Sequence, residues 1–210
     1  MTYQYALAAL WPKSKYIYRA FTRIAITVII TSYVFVNSAF AQSRDDSGAE
    51  AEVTFSAHLL IGAQLPEAFW SMEHLIYQDG DTIRTNLESY RGKLLILDFW
   101  ASWCGACLVE LGKLESLSKD FAGQANILLV NSADTRDDFQ KVASSYQRSK
   151  GSYWRGTLNS IIVDSYIKSL FPHIGIPYQV WINPKGTVYA FTRSSFVDPK
   201  VITTINQIYR

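Results

Sequence analysis

The chain has 210 residues, 49% of them hydrophobic and 18% charged, with a formal net charge of +2. That length and apolar content exclude an intrinsically disordered protein and allow one domain of ordinary size with additions. Beyond residue 41 the lysines and arginines are interspersed with acids, so no basic patch points to nucleic acid.

Residues 1–41 hold no acid, and their charges are Lys13, Lys15, Arg19 and Arg23, ahead of the apolar run IAITVIITSYVFV at 24–36. A basic segment, an apolar segment and then NSAFAQ, with small Ala39 and Ala41, read as a signal peptide of residues 1–41 cleaved before Gln42. An uncleaved anchor is the alternative, because residues 24–41 reach only about the minimum of roughly 17 to 20 residues that span a bilayer. No cysteine stands at the cleavage point to carry a lipid. Loss of the leader's four cations changes the net charge from +2 to −2, so the basic balance belongs to the leader. Residues 42–56 read as a flexible tether and residues 57–210 as the folded domain.

Residues 61–92 read as a lead-in of short strands, punctuated by Pro66 and the turn signal Gln78-Asp79-Gly80-Asp81 and ended by SYRG. KLLILDFWA (93–101) is a nearly unbroken apolar run, the pattern of a strand buried on both faces, with Asp98 as its ionisable interior residue. After it, Leu108, Leu111, Leu114 and Leu117 recur at helical spacing. ANILLVNSA (125–133) reads as a second buried strand. Residues 135–150 read as a surface helix with Asp137 and Asp138 in its first turn, where acids suit the helix dipole. A loop (GSYWRG), a short strand at 160–163 and a short helix at 164–171 follow. Strands at 178–182 and 187–192 are joined by the turn Asn183-Pro184-Lys185-Gly186, and a helix over 199–209 has Asp198 as N-cap and Pro199 at its first position. Strands alternating with helices, then a hairpin and a helix, predict a three-layer α/β fold around a mixed sheet.

Both cysteines, Cys104 and Cys107, lie in LDFWASWCGACL at the strand-to-helix junction. Three readings compete. A structural disulfide closing so short a loop would restrain little chain entropy. A zinc site needs further ligands, and His58, His74 and His173 are scattered without the spacing of a ligand set. A redox couple needs what the junction offers: a helix N-terminus that favours a thiolate at Cys104, and a second thiol one turn deeper to resolve a mixed disulfide.

LDFWASWCGAC resembles the active-site stretch of the thioredoxin superfamily, and the ordered features around it resemble the exported TlpA/ResA-like thiol-disulfide oxidoreductases of Bacteroidetes type. Those features are the lead-in IGAQLPEAF and DGDTIRTNLESYRGK, Glu110 after Cys104-Gly105-Ala106-Cys107, Asp164 before a short helix, and GIPYQVWINPKG. The resemblance implies a thioredoxin-like three-layer fold with a central mixed β-sheet, an N-terminal strand extension and a helical insertion. It implies Cys104 as nucleophile, Cys107 as resolving thiol, and Asp98 or Glu110 as acceptor of the Cys107 proton. It also places Pro177 at the family's cis-proline position, with Ile176 offering main chain to an extended substrate and Trp103 at the rim of the site. Trp100 and Trp181 read as core. The sequence departs from the family where Ala106 and Gly112 stand in place of frequent prolines, on the helix that sets thiolate stability.

The resulting expectation is a periplasmic thiol-disulfide oxidoreductase that reduces substrate protein disulfides, apocytochrome c among the candidates. A membrane electron donor, a monomeric state, and no metal or cofactor beyond the redox-active disulfide are expected with it. Two alternatives stand beside it. A peroxiredoxin-type peroxidase would need P-x-x-x-[TS]-x-x-C, yet Leu97 and Ala101 occupy the two upstream positions for Cys104. A non-catalytic module could hold extended peptides near Pro177, using the long insertion between the second buried strand and that proline.

Overall fold

The apolar run that carries Asp98 forms an interior strand of the sheet. In the computed structural model, which describes residues 19, 23–28, 58–149, 154–193 and 196–209, this strand is β3 (Leu94–Phe99), and all six of its residues are buried. It follows α1 (Glu67–Ser71), β1 (His74–Gln78) and β2 (Asp81–Thr85). After it come α2 (Gly105–Asp120), β4 (Ala125–Ser132), α3 (Phe139–Ser149), β5 (Ser160–Asp164), α4 (Tyr166–Leu170), β6 (Tyr178–Ile182), β7 (Val188–Thr192) and α5 (Pro199–Ile208). The seven strands form one sheet in the order β2-β1-β5-β4-β3-β6-β7. Strands β5, β4 and β3 run parallel; β6 and β7 on one side, and β1 and β2 on the other, pair antiparallel.

The period-two alternation of β3 divides the core. Leu94 and Ile96, with Trp100 just beyond the strand, join Leu111 and Leu114 of α2, Val142 and Tyr146 of α3, and Ile202 and Ile205 of α5 in one apolar layer. Leu95, Leu97 and Phe99 point the other way, into a second layer with Phe69 and Trp70 of α1 and Ile167 and Leu170 of α4. Each fully buried Leu or Ile contributes roughly 1.5 to 3 kcal/mol, so removing Leu97 to its Cβ would cost about 2 to 5 kcal/mol. The β1–β2 hairpin closes through Asp79 (φ 51°) and Gly80 (φ 92°), the pair of positive φ values that a two-residue hairpin turn requires.

Two expectations need correction. Helix α3 begins at Phe139, not at residue 135, because Ala133–Thr135 form a 3₁₀ turn and Arg136 takes a left-handed backbone (φ 61°). Asp137 therefore turns inward, and Asp138 caps the helix, its Oδ1 accepting from the Lys141 N–H at 2.8 Å. Asp164 ends β5 instead of opening a helix, although its Oδ1 accepts from Ile167 N–H at 2.7 Å and so starts α4. The short strand expected at 160–163 is β5, and it enters the sheet between β4 and β1. Helix α1 was not legible: five residues after Pro66 give no periodic pattern, yet they bury Phe69 and Trp70.

The chain separates into two units, Met1–Glu52 and Val53–Arg210. In the first, residues 19 and 23–28 are helical, and the other residues of the leader, its cleavage point and the 42–56 tether lie outside the described residues. Among the described residues no helix is long and apolar enough to cross a membrane.

Candidate active site

Strand β3 delivers the chain to Trp100 and Ala101, and the turn that follows places Cys104 at the N-cap of α2. Cys104 and Cys107 are joined in a disulfide with Cα atoms 5.3 Å apart. Cys104 retains 7% of its surface and Cys107 only 1%, so an incoming thiol meets the first sulfur. The Cys104 sulfur accepts from the Cys107 N–H at 3.2 Å, one of the free amide donors that a helix start presents.

Asp98, the last residue but one of β3, is 1% exposed. Burial pushes its carboxyl up to about 7, the Gln179 hydrogen bond works against that rise, and the charge of Glu110 adds to it. Gln179 Nε2 donates to Asp98 Oδ2 at 2.6 Å. Glu110, one turn beyond Cys107 on α2, is half-buried and holds its Oε2 away from water with no hydrogen-bond partner. Both acids named from the sequence thus lie in one electrostatic environment, with Asp98 the more deeply enclosed.

The turn before Cys104 is fixed by Asp137, which the sequence reading had placed on a helix surface. Its carboxylate accepts from Ser102 N–H at 2.7 Å, Ser102 Oγ at 2.6 Å and Asn131 Nδ2 at 2.7 Å. The Asn131 amide also reaches the Trp100 carbonyl at 3.3 Å, tying β4 to the end of β3. Trp103 is 64% exposed at the rim, its indole N–H donating to the Thr135 carbonyl at 2.9 Å. Trp100 and Trp181 are buried in the core.

The Ile176–Pro177 peptide bond is cis. A groove lined by Trp103, Thr135, Lys168, His173 and Ile176 runs beside the helix start, and a second groove continues past Pro177 to Phe191 and Phe196. His173 packs on Phe99 at 4.4 Å and stacks on Tyr178 at 4.7 Å between ring centres. Its Nδ1 faces the Phe171 carbonyl at 2.9 Å, which can only accept, so Nδ1 carries the hydrogen and Nε2 is left with the lone pair in the neutral ring. Burial lowers the His173 pKa below its ordinary value. Lys168 clamps this loop by donating to the His173 carbonyl at 2.9 Å and pairing with Asp134 at 3.1 Å.

The fold thus joins Cys104 to Cys107, couples Asp98 to Glu110 one turn beyond Cys107, and places Trp103 and Ile176 along one groove with Pro177 on its continuation. Sequence reasoning missed Gln179, Asn131 and Asp137. Gln179 had a visible signal, a lone amide inside the apolar strand YQVWI; Asp137 had none, because an acid before a helix ordinarily faces water. Among the described residues no group of three His, Cys, Asp or Glu side chains gathers to hold a metal ion.

Comparison with known proteins places this geometry. The Bacillus subtilis thioredoxin-like protein YneN is 35% identical over 48 residues, covering 23% of this chain and 28% of that protein. The chain therefore matches less than a third of that relative's length. Among solved structures, Enterococcus faecalis AhpC superposes with a TM-score of 0.56 at 14% identity, covering 71% of this chain and 92% of that one. A secreted Mycobacterium tuberculosis disulfide oxidoreductase homologous to E. coli DsbE gives 0.51 at 14% identity, covering 68% and 99%. These neighbours establish a thioredoxin-like mixed α/β fold. Residues 61–190, more than half of the chain and including both cysteines, match the AhpC/TSA family, and the chain belongs to it.

Proposed function

We propose that this protein is an exported thiol-disulfide oxidoreductase of the TlpA/ResA type that reduces disulfides in substrate proteins. The observation that carries the reading is a Cys-Gly-Ala-Cys couple at a helix N-terminus that follows a buried strand whose Asp98 carboxyl is pushed up to about 7 and feels the charge of Glu110, one turn beyond Cys107. In the reduced protein the Cys104 thiolate attacks one sulfur of a substrate disulfide. A mixed disulfide forms, and the other substrate sulfur leaves as a thiolate that takes a proton from water. The Cys107 thiol then gives its proton to the Asp98 carboxylate and attacks Cys104 Sγ. The second substrate sulfur leaves as a thiol, taking up that proton, and two electrons have passed from protein to substrate. A base with a pKa near 7 suits this transfer, because it neither holds the proton permanently nor refuses it.

Trp103 and Ile176 form the wall against which an extended substrate segment would lie, with main-chain pairing at Ile176. The basic-then-apolar leader supports export to the periplasm. In that oxidising compartment a reductant serves selected thiols and draws electrons from a membrane donor. Apocytochrome c is one substrate class that this role fits.

The test is a trap. Cys107→Ser should accumulate a mixed disulfide on Cys104 that mass spectrometry of the isolated adduct identifies, and Cys104→Ala should lose exchange on a model disulfide. Full exchange activity in Cys104→Ala would sink the proposal. Membership of the AhpC/TSA family keeps a peroxidase as the second reading. It predicts peroxide consumption that depends on Cys104, whereas Leu97 and Ala101 deny the couple the residues that would orient a peroxide.

A further inference from the structure

The register of the sheet aligns three polar residues in one lateral row. Asp98 on β3 stands opposite Gln179 on β6, and Gln179 stands opposite Thr192 on β7. Trp181, two residues along β6 and on the same face, reaches the same Thr192. The bonds run in order: Trp181 Nε1 donates to Thr192 Oγ1 at 2.7 Å, Thr192 Oγ1 to Gln179 Oε1 at 3.0 Å, and Gln179 Nε2 to Asp98 Oδ2 at 2.6 Å.

Donor chemistry allows this chain one direction. An indole N–H only donates, so the Thr192 hydroxyl must accept it and is left to donate onward. That donation fixes the Gln179 oxygen toward Thr192 and turns the amide N–H toward the carboxylate. Gln179 is itself fully buried, so a flipped amide would turn its oxygen toward the carboxylate oxygen and deprive the Thr192 hydroxyl proton of its acceptor. Asp98 Oδ2 is thereby held as an acceptor in both protonation states, and the proton comes and goes at Oδ1.

We propose that Gln179 is a positioning residue for Asp98: the relay from Trp181 through Thr192 fixes the Gln179 amide as a donor to Oδ2, and this sets how readily Asp98 takes the Cys107 proton. The inference rests on Asp98 being the proton acceptor. It assigns a role to residues outside the cysteine motif and to a polar row that a strand this apolar would otherwise exclude.

The experiment follows the Asp98 carboxyl carbon by NMR through a pH titration of the full-length oxidised chain. In parallel it measures the pH dependence of single-turnover exchange with a model disulfide for the reduced chain. Gln179→Met keeps length and removes the donor; the Asp98 midpoint should rise by about one to two pH units, the equivalent of one hydrogen bond to a charged group. The midpoint of the exchange profile should move the same way. Thr192→Val, which releases the amide without removing it, should raise both midpoints by a smaller amount, and Thr192→Ser should restore them. A purely structural role would lower the unfolding temperature and leave the midpoints in place. If Gln179→Met does not fold, Thr192→Val, of the same shape and on a half-buried strand, carries the test. Midpoints unmoved in these variants, while Asp98→Asn still abolishes the pH-dependent limb, would overturn the relay and leave Asp98 as acceptor. An exchange profile unchanged in Asp98→Asn would remove the acceptor role and the relay's function with it.

Discussion

Asp98→Asn should make the oxidised protein more stable at neutral pH, and the gain should vanish in acid. Burial raises the Asp98 carboxyl from 3.8 to about 7, a separation of about 3 units. At 1.36 kcal/mol per unit this corresponds to about 4 kcal/mol. The folded state binds this proton more tightly than the unfolded chain does. The stabilising contribution of the protonated acid is therefore complete below about pH 3.8, declines as pH rises toward about 7, and levels off above. The amide of the variant cannot ionise, and its oxygen can still accept from Gln179. The difference in unfolding free energy, variant minus wild type, should be near zero at the acid end, grow by up to about 1.4 kcal/mol per pH unit and reach a plateau of about 4 kcal/mol. Urea unfolding followed by fluorescence at a series of pH values, with the disulfide intact, reads this directly. Taking the difference cancels other groups such as His173, which titrate in both proteins. Two curves that stay parallel from acid to mildly alkaline pH would refute the reasoning. On the proposed mechanism the same substitution should also slow resolution of the mixed disulfide, and the two results together would mark Asp98 as a group kept at a cost to stability.

Other outcomes follow from the surrounding contacts. Glu115 on α2 accepts from the Arg155 N–H and the Thr157 N–H, each at 2.6 Å, and from the Thr157 hydroxyl at 3.1 Å. Glu115→Ala should cost about 1 to 3 kcal/mol in calorimetry or denaturant unfolding, since it removes a charged acceptor shared by two main-chain N–H groups and a hydroxyl, and Glu115→Gln should cost less. Asp137→Ala releases Ser102 and Asn131 together; a loss of about 2 to 3 kcal/mol should come with slower exchange, because the turn that sets Cys104 is no longer held. The imidazole of His173 should titrate below its ordinary value of 6.5 by NMR, because burial opposes its charge. A midpoint at or above that value would contradict the packing between Phe99 and Tyr178.

The strand, cysteine pair and helix are legible in the sequence because each is a local pattern: an unbroken apolar run, a C-x-x-C, and leucines at helical spacing. The terminal hairpin and helix are legible for the same reason, since Asn183 through Gly186 and Asp198-Pro199 carry turn and cap chemistry within a few residues. Asp98 announces itself as an acid inside a buried strand. What the sequence hides is lateral. Gln179 meets Asp98, and Asp137 meets Ser102, only because strand order and register bring together positions 81 and 35 residues apart. No periodicity encodes that. Helix α1 is hidden differently: it is too short for a hydrophobic stripe, and burial of Phe69 and Trp70 holds it in place of propensity.

At the start of α2 the N-cap, a place where serine, threonine, asparagine or aspartate usually serves, is filled by Cys104. A sulfur bonded into a disulfide is a weak acceptor for the Cys107 amide, whereas a thiolate is a strong one. Helix initiation and electron count are therefore coupled in this protein. Reduction severs a covalent tie across the first turn and in the same step supplies that turn with a better cap. The Cys107 amide should accordingly trade its hydrogen with water more slowly once the bond is cut, the reverse of what loss of a cross-link ordinarily does to the chain around it.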